Sequence, residues 1–260
     1  MQMSKFSSPS SNTFIRGKNR PNALLRIFCF SYAGSSAQLF FNWNDYVPEW
    51  VEVNGFEFPG HGRRLIESKV IKEQAEAVLC IADALTPMLD KPYALYGHCL
   101  GAVLAYEATR ILRSRGARQP VHLFASGARG PHYGIPIANC ESMDDEQFIK
   151  HFTQVYGAAI TVLNDAKMRP LVLPMVRADA HITQYYHYDP GAPVDYNITA
   201  VAGVDDPDVQ LEHLEGWRQH TTAKVSTRLY PGNHFFFVEQ AREMLKDFLG
   251  ELNSEVVRRS

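Results

Sequence analysis

The stretch Tyr93-Ala94-Leu95-Tyr96-Gly97-His98-Cys99-Leu100-Gly101 sets a thiol between two glycines at the end of an apolar run. A cysteine so placed can attack an acyl carbonyl and hold the acyl group as a thioester. That chemistry needs an imidazole oriented by a carboxylate, and N–H donors for the oxyanion that forms. His234, in Pro231-Gly232-Asn233-His234, supplies an imidazole, and Gly203-Val204-Asp205-Asp206-Pro207 supplies two adjacent carboxylates. In a strand-G-x-x-D turn the fourth position faces back toward the histidine loop. This favours Asp206 and leaves Asp205 as a solvated or capping neighbour. The reading rests on the pattern around Cys99, because a free cysteine taken alone is usually an inert core residue.

Positioning these groups requires a sheet whose strand ends converge. Tyr93 to Tyr96 reads as a short buried strand, and Val103, Leu104, Ala108, Ile111 and Leu112 recur at helical spacing until Gly116. Strand, G-x-C-x-G and helix together make the context of a nucleophile elbow, in which the Leu100 N–H opens the helix beside the thiol. Upstream, the strand Ala23 to Phe30 runs into Ser31-Tyr32-Ala33-Gly34-Ser35-Ser36, whose small residues allow close backbone approach. Ala33 N–H is the candidate second oxyanion donor with Leu100 N–H, each worth about 3 kcal/mol in such a site. The bland alternative is a plain strand-to-helix loop.

Further strands are expected at 51–58, 121–126, 198–202 and 225–230, with helices over about 71–89, 144–156, 167–188 (bent near Pro174), around Leu211 to Trp217, and 239–249. The order Cys99, Asp206, His234, each just after a strand, is the order of the α/β-hydrolase arrangement. An α/β fold follows, with a mostly parallel sheet flanked by helices. Residues 131–197 break the strand-helix rhythm and read as a helical lid over the strand ends. Tyr185, Tyr186 and Tyr188 are candidates for an acyl-pocket lining, with ordinary lid packing the competing reading. Arg63 and Arg64 could hold a phosphate, although such a pair is ordinarily just solvated. Residues 1–20, rich in Ser, Asn, Lys and Arg, read as a mobile tail, and 21–260 as a single domain.

Composition narrows the function. A formal charge of −2 argues against nucleic acid as the main partner, and no apolar run is long enough to span a membrane. Cys29, Cys80, Cys99 and Cys140 are scattered with no C-x-x-C pair, which fits a reducing, cytoplasmic setting rather than a disulfide framework. No metal-ligand cluster and no G-x-G-x-x-G appears, so no metal or resident cofactor is expected.

The chain resembles the type II thioesterases, α/β-hydrolases that accompany non-ribosomal peptide and polyketide synthases. The motifs are F-C-F-S-Y-A-G-S-S at 28–36, F-P-G-H-G-R-R at 58–64, Y-G-H-C-L-G-A at 96–102, S-G-A-R-G-P-H at 126–132, L-P-M-V-R-A-D at 173–179, G-V-D-D-P at 203–207 and Y-P-G-N-H-F-F at 230–236. The resemblance implies acyl or aminoacyl thioesters on the phosphopantetheine arms of carrier proteins as substrates, and carrier domains as partners. It departs at the elbow, where the family has G-H-S-M-G. A serine nucleophile turns a thioester into a more stable oxygen ester, whereas cysteine exchanges thioester for thioester, nearly isoenergetically. Cysteine therefore suits transfer between carriers as well as hydrolysis. A dienelactone-hydrolase-like enzyme also uses G-x-C-x-G and is the alternative, with a catalytically silent carrier-docking protein as a third reading.

Overall fold

The computed structural model describes residues 13–67, 69–156 and 162–259. Seven strands form one sheet: β1 (Phe14–Ile15), β2 (Leu25–Phe30), β3 (Val51–Phe56), β4 (Tyr93–His98), β5 (His122–Ser126), β6 (Asn197–Gly203) and β7 (Val225–Tyr230), in the order β1-β3-β2-β4-β5-β6-β7. All neighbours are parallel except β1, which pairs antiparallel with β3 through Phe14↔Phe56 and Ile15↔Gly55. β4, inside the sheet, is buried along its whole length, whereas the edge strand β7 is only partly covered. Both faces of the central strands carry a core, which is why they read as continuous apolar runs rather than alternating ones.

Period-two alternation divides those cores. Ile27 and Tyr96 point to one side, with Phe40, Trp43 and Phe248, while Phe28, Phe30 and Leu95 point to the other, with Ile81 and Leu104. The second side is covered by α1 (Gln74–Leu85) and α2 (Leu100–Ser114). The first is covered by the 3₁₀ segment Ala37–Asp45 and by α7 (Ala241–Arg259). Between β5 and β6 the chain adds α3 (Asp145–Tyr156) and α4 (Arg169–Gln184). Short helices α5 (Leu211–Glu215) and α6 (Phe236–Glu239) follow β6 and β7.

The structure corrects several expectations. Of residues 1–20, expected as a mobile tail, those from 13 onward pack against the domain. Phe14 enters the sheet, and Arg20 is buried with its guanidinium donating to the carbonyls of Asn44, Val47, Pro48 and Val51 at 2.6–3.1 Å. A two-residue strand is too short to show a period, so the sequence pattern could not reveal it; residues 1–12 lie outside those described. The helix expected over 71–89 spans only Gln74–Leu85, because the chain tightens into a 3₁₀ turn carrying Pro87. α4 is shorter than 167–188 but continues through Pro174. The terminal helix runs further than expected, to Arg259. Residues 157–161, between α3 and α4, lie outside those described.

Candidate active site

β4 delivers Cys99 to the carboxyl edge of the sheet in a backbone conformation that few side chains adopt. Cys99 has φ 53° and ψ −119°, and it is the one non-glycine residue with positive φ among those described. Such strain persists only where the surroundings impose it, and it clusters at functional sites. Here the Cys99 N–H is held at 2.8 Å by the Ser126 carbonyl at the end of β5. The flanking glycines allow the tight turn. A Cβ on Gly97 would stand 2.4 Å from Ala102 Cα, and one on Gly101 2.4 Å from the Phe30 carbonyl oxygen. The turn therefore draws β2, β4 and α2 together beneath the thiol.

His234 and Asp206 reach the same edge from the loops after β7 and β6. His234 Nδ1 donates to Asp206 Oδ2 at 2.7 Å. The other carboxylate oxygen accepts the N–H groups of Asp208 at 2.9 Å and Val209 at 3.2 Å, so Asp206 is buried but fully engaged. Asp205 is exposed, and the His234 ring hydrogen-bonds to Asp206. Burial would push the His234 imidazole down, but hydrogen bonds to Asp206 and to the Cys99 side chain outweigh it and raise its pKa to about 10. At neutral pH this histidine is an imidazolium between a carboxylate and a sulfur. An imidazolium there can stabilise a neighbouring anion and can donate a proton.

Leu100 is the first residue of α2, so its N–H has no partner within the helix. Ala33 is buried in the loop after β2, on the neighbouring strand. The sequence reading assigned no role to His98. It is fully buried, with Nδ1 2.9 Å from Ser126 Oγ and its ring 4.9 Å from that of His234. Burial pushes its pKa well below 6.5, and the charge on His234 acts in the same direction. His98 is therefore a neutral platform against the charged imidazole. Its place beside Cys99 in the motif was the available signal, but its partner Ser126 lies 28 residues away.

Cys99 and His234 open into a cavity of about 710 Å³ with Ile135, Ile137, Val209 and Phe235 on its apolar side and Arg129 and His151 among its polar walls. That volume is in the range of small-molecule pockets. The three tyrosines proposed as a lining do not border it among the described residues. Tyr186 donates to Glu107, Tyr185 hydrogen-bonds to Glu141, and Tyr188 packs on His220. Arg64 is occupied by Glu67 and the Glu57 carbonyl. No group of three or more His, Cys, Asp or Glu residues that could hold a metal ion occurs among the described residues.

The thioesterase domain family matches residues 25–252, from β2 to the last helix. The chain belongs to this family. Among its relatives is the gramicidin S biosynthesis protein GrsT of Aneurinibacillus migulanus, 34% identical over 241 residues, covering 93% of this chain and 94% of that one. RedJ, a thioesterase from the prodiginine pathway of Streptomyces coelicolor, superposes with a TM-score of 0.79 at 34% identity, covering 91% of this chain and 88% of RedJ. BorB, a type II thioesterase from the borrelidin biosynthetic cluster, gives 0.80 at 25% identity, covering 94% and 97%. The fold is accordingly the thioesterase form of the α/β-hydrolase, and the chain is an enzyme of the thioesterase family whose homologues serve natural-product biosynthesis. No described helix is long and apolar enough to cross a membrane.

The charge on His234 has a direct readout in thiol reactivity. Burial raises the pKa of Cys29 strongly, that of Cys80 to about 11, and that of Cys140 as well. Cys99 alone faces an imidazolium. Limiting iodoacetamide at pH 7 should therefore label Cys99 first, read by peptide mapping. Equal, slow labelling of all four thiols would remove the activated thiol.

Proposed function

We propose that this thioesterase takes an acyl or aminoacyl group from the phosphopantetheine arm of a carrier domain onto Cys99, then passes it to water or to the thiol of a second carrier. The observation that carries the reading is the strained Cys99 facing an imidazolium that Asp206 orients. In the first step the Cys99 thiolate attacks the thioester carbonyl, and the resulting oxyanion accepts the N–H groups of Ala33 and Leu100. Collapse breaks the carbon–sulfur bond to the arm, and the departing sulfur takes the proton from His234. His234, now neutral, removes a proton from the incoming water or thiol, which attacks the acyl-Cys99 thioester. Cys99 leaves as a thiolate and His234 is again charged. The first exchange is nearly isoenergetic, so the acyl group remains available to another thiol, and this supports transfer over obligatory hydrolysis.

No resident cofactor takes part, because the pantetheine arm belongs to the substrate. Residues 131–197 serve as the lid over this reaction. Cys29, Cys80, Cys99 and Cys140 are all unpaired, which supports a cytoplasmic setting.

The test mixes the protein with a carrier bearing a labelled acyl group and a second carrier with a free arm, followed by intact-protein mass spectrometry. Transfer predicts label on the second carrier through a transient adduct at Cys99. Label released as free acid, with the second carrier empty, makes the enzyme hydrolytic. No adduct and no loss of label from any acyl carrier overturns the proposal in favour of a small-lactone hydrolase or a silent docking protein.

A further inference from the structure

The turn after β3 and the helix α4 share a buried ion pair that the chemistry above does not use. His61 Nε2 lies 2.9 Å from Asp179 Oδ2, and its Nδ1 lies 3.1 Å from the Pro59 carbonyl oxygen. Both side chains are buried. A carbonyl and a carboxylate only accept, so both ring nitrogens donate and His61 is an imidazolium. The charged groups facing it are Asp179 from α4 and Glu57 from the end of β3. Burial works against the charge, but these two carboxylates and the two hydrogen bonds hold its pKa above 6.5.

Asp179 Oδ2 also accepts the N–H of Gly34 at 2.7 Å. Gly34 belongs to the turn Tyr32–Ser35, in which the Tyr32 carbonyl accepts from Ser35 N–H at 3.2 Å and Ser35 Oγ at 2.5 Å. Its φ of +79° is what the third position of a type II turn requires. No cis peptide bond occurs among the described residues, so the peptide joining Tyr32 and Ala33 is trans and planar. The Ala33 N–H then points opposite to the Tyr32 carbonyl, and whatever orients this turn also aims that N–H. Three elements far apart in sequence thus meet on one carboxylate: the loop after β2, the turn after β3, and α4 of the insertion between β5 and β6.

We infer that His61 and Asp179 are positioning residues for acyl transfer. They clamp the Tyr32–Ser35 turn through Gly34, so that the Ala33 N–H is held for the oxyanion only when α4 is seated. The inference rests on the reading of Ala33 and Leu100 as oxyanion donors. It couples the insertion to the chemistry without either residue touching the acyl group.

Two reactions of the same thiol separate this role from a merely structural one. Alkylation by iodoacetamide forms a carbon–sulfur bond and expels iodide with no oxyanion, whereas acylation by an acyl N-acetylcysteamine thioester passes through one. Asp179→Asn keeps the side-chain shape and loses the charge. Its Cys99 is expected to alkylate at the wild-type rate but to acylate about 10²-fold more slowly, near the 10²–10³ seen when an oxyanion donor is removed. The loss should lie in kcat, with KM unchanged. His61→Gln should change the same two rates in the same way and serves if the first variant does not fold. Equal loss of alkylation and acylation would reduce the pair to general scaffolding, and no loss of either would also overturn the inference. A wild-type Cys99 that alkylates but is never acylated would instead overturn the underlying reading.

Discussion

Cys99→Ala is expected to lower turnover of a carrier-bound acyl thioester by about 10⁶-fold, the scale on which loss of a nucleophile acts in a cooperating set. Without the sulfur no acyl-enzyme forms, so intact-mass measurements should also show no adduct. The fold should tolerate alanine, because the turn is held by Gly97, Gly101 and the Ser126 carbonyl and the substitution removes only the sulfur. Unchanged melting with lost turnover separates chemistry from folding. Cys99→Ser is the sharper companion. Its acyl-enzyme is an oxygen ester, which is downhill from the thioester, so any label reaching a second carrier should fall while released acid remains. Persisting adduct formation in Cys99→Ala would place the nucleophile elsewhere.

Asp206→Asn should cost about 10⁴-fold in turnover, because the amide presents the wrong hydrogen-bonding partner and leaves the imidazolium without its anion. The same substitution has a thermodynamic signature. His234 holds its proton to about pH 10 in the folded protein but has an ordinary value of 6.5. A raised folded pKa contributes stability that is complete below about pH 6.5 and is lost as pH rises through about 10. Melting temperatures measured across that window should therefore decline in the wild type and decline less in Asp206→Asn. Parallel declines in the two proteins would show that Asp206 does not hold the His234 proton.

Much of this arrangement is written locally. Cys99, Asp206 and His234 each follow a strand whose apolar run is readable, and a parallel sheet necessarily gathers those strand ends on one edge. The sequence favours Asp206 over Asp205 because turn geometry is local too, and it is Asp206 that hydrogen-bonds to His234. Asp144 to Tyr156 is legible as a helix, observed over Asp145–Tyr156, and Pro87 explains why the earlier helix α1 stops at Leu85.

Other features exist only once the chain has folded. The two-residue β1 has no period of its own, and its place beside β3 depends on Phe14 finding Phe28 and Phe56. Tyr185, Tyr186 and Tyr188 look like a lining in the sequence, yet their directions are set by Glu141, Glu107 and His220 on distant segments. His61 and Asp179 are 118 residues apart, and nothing in either motif names the other. Sequence alone determined which strands, turns and reactive side chains this protein has, because dihedral preference and apolar periodicity act over a few residues. The tertiary structure decided which charges are buried together, and hence that His234 and His61 are imidazolium while His98 is neutral, because electrostatic environment depends on neighbours in space.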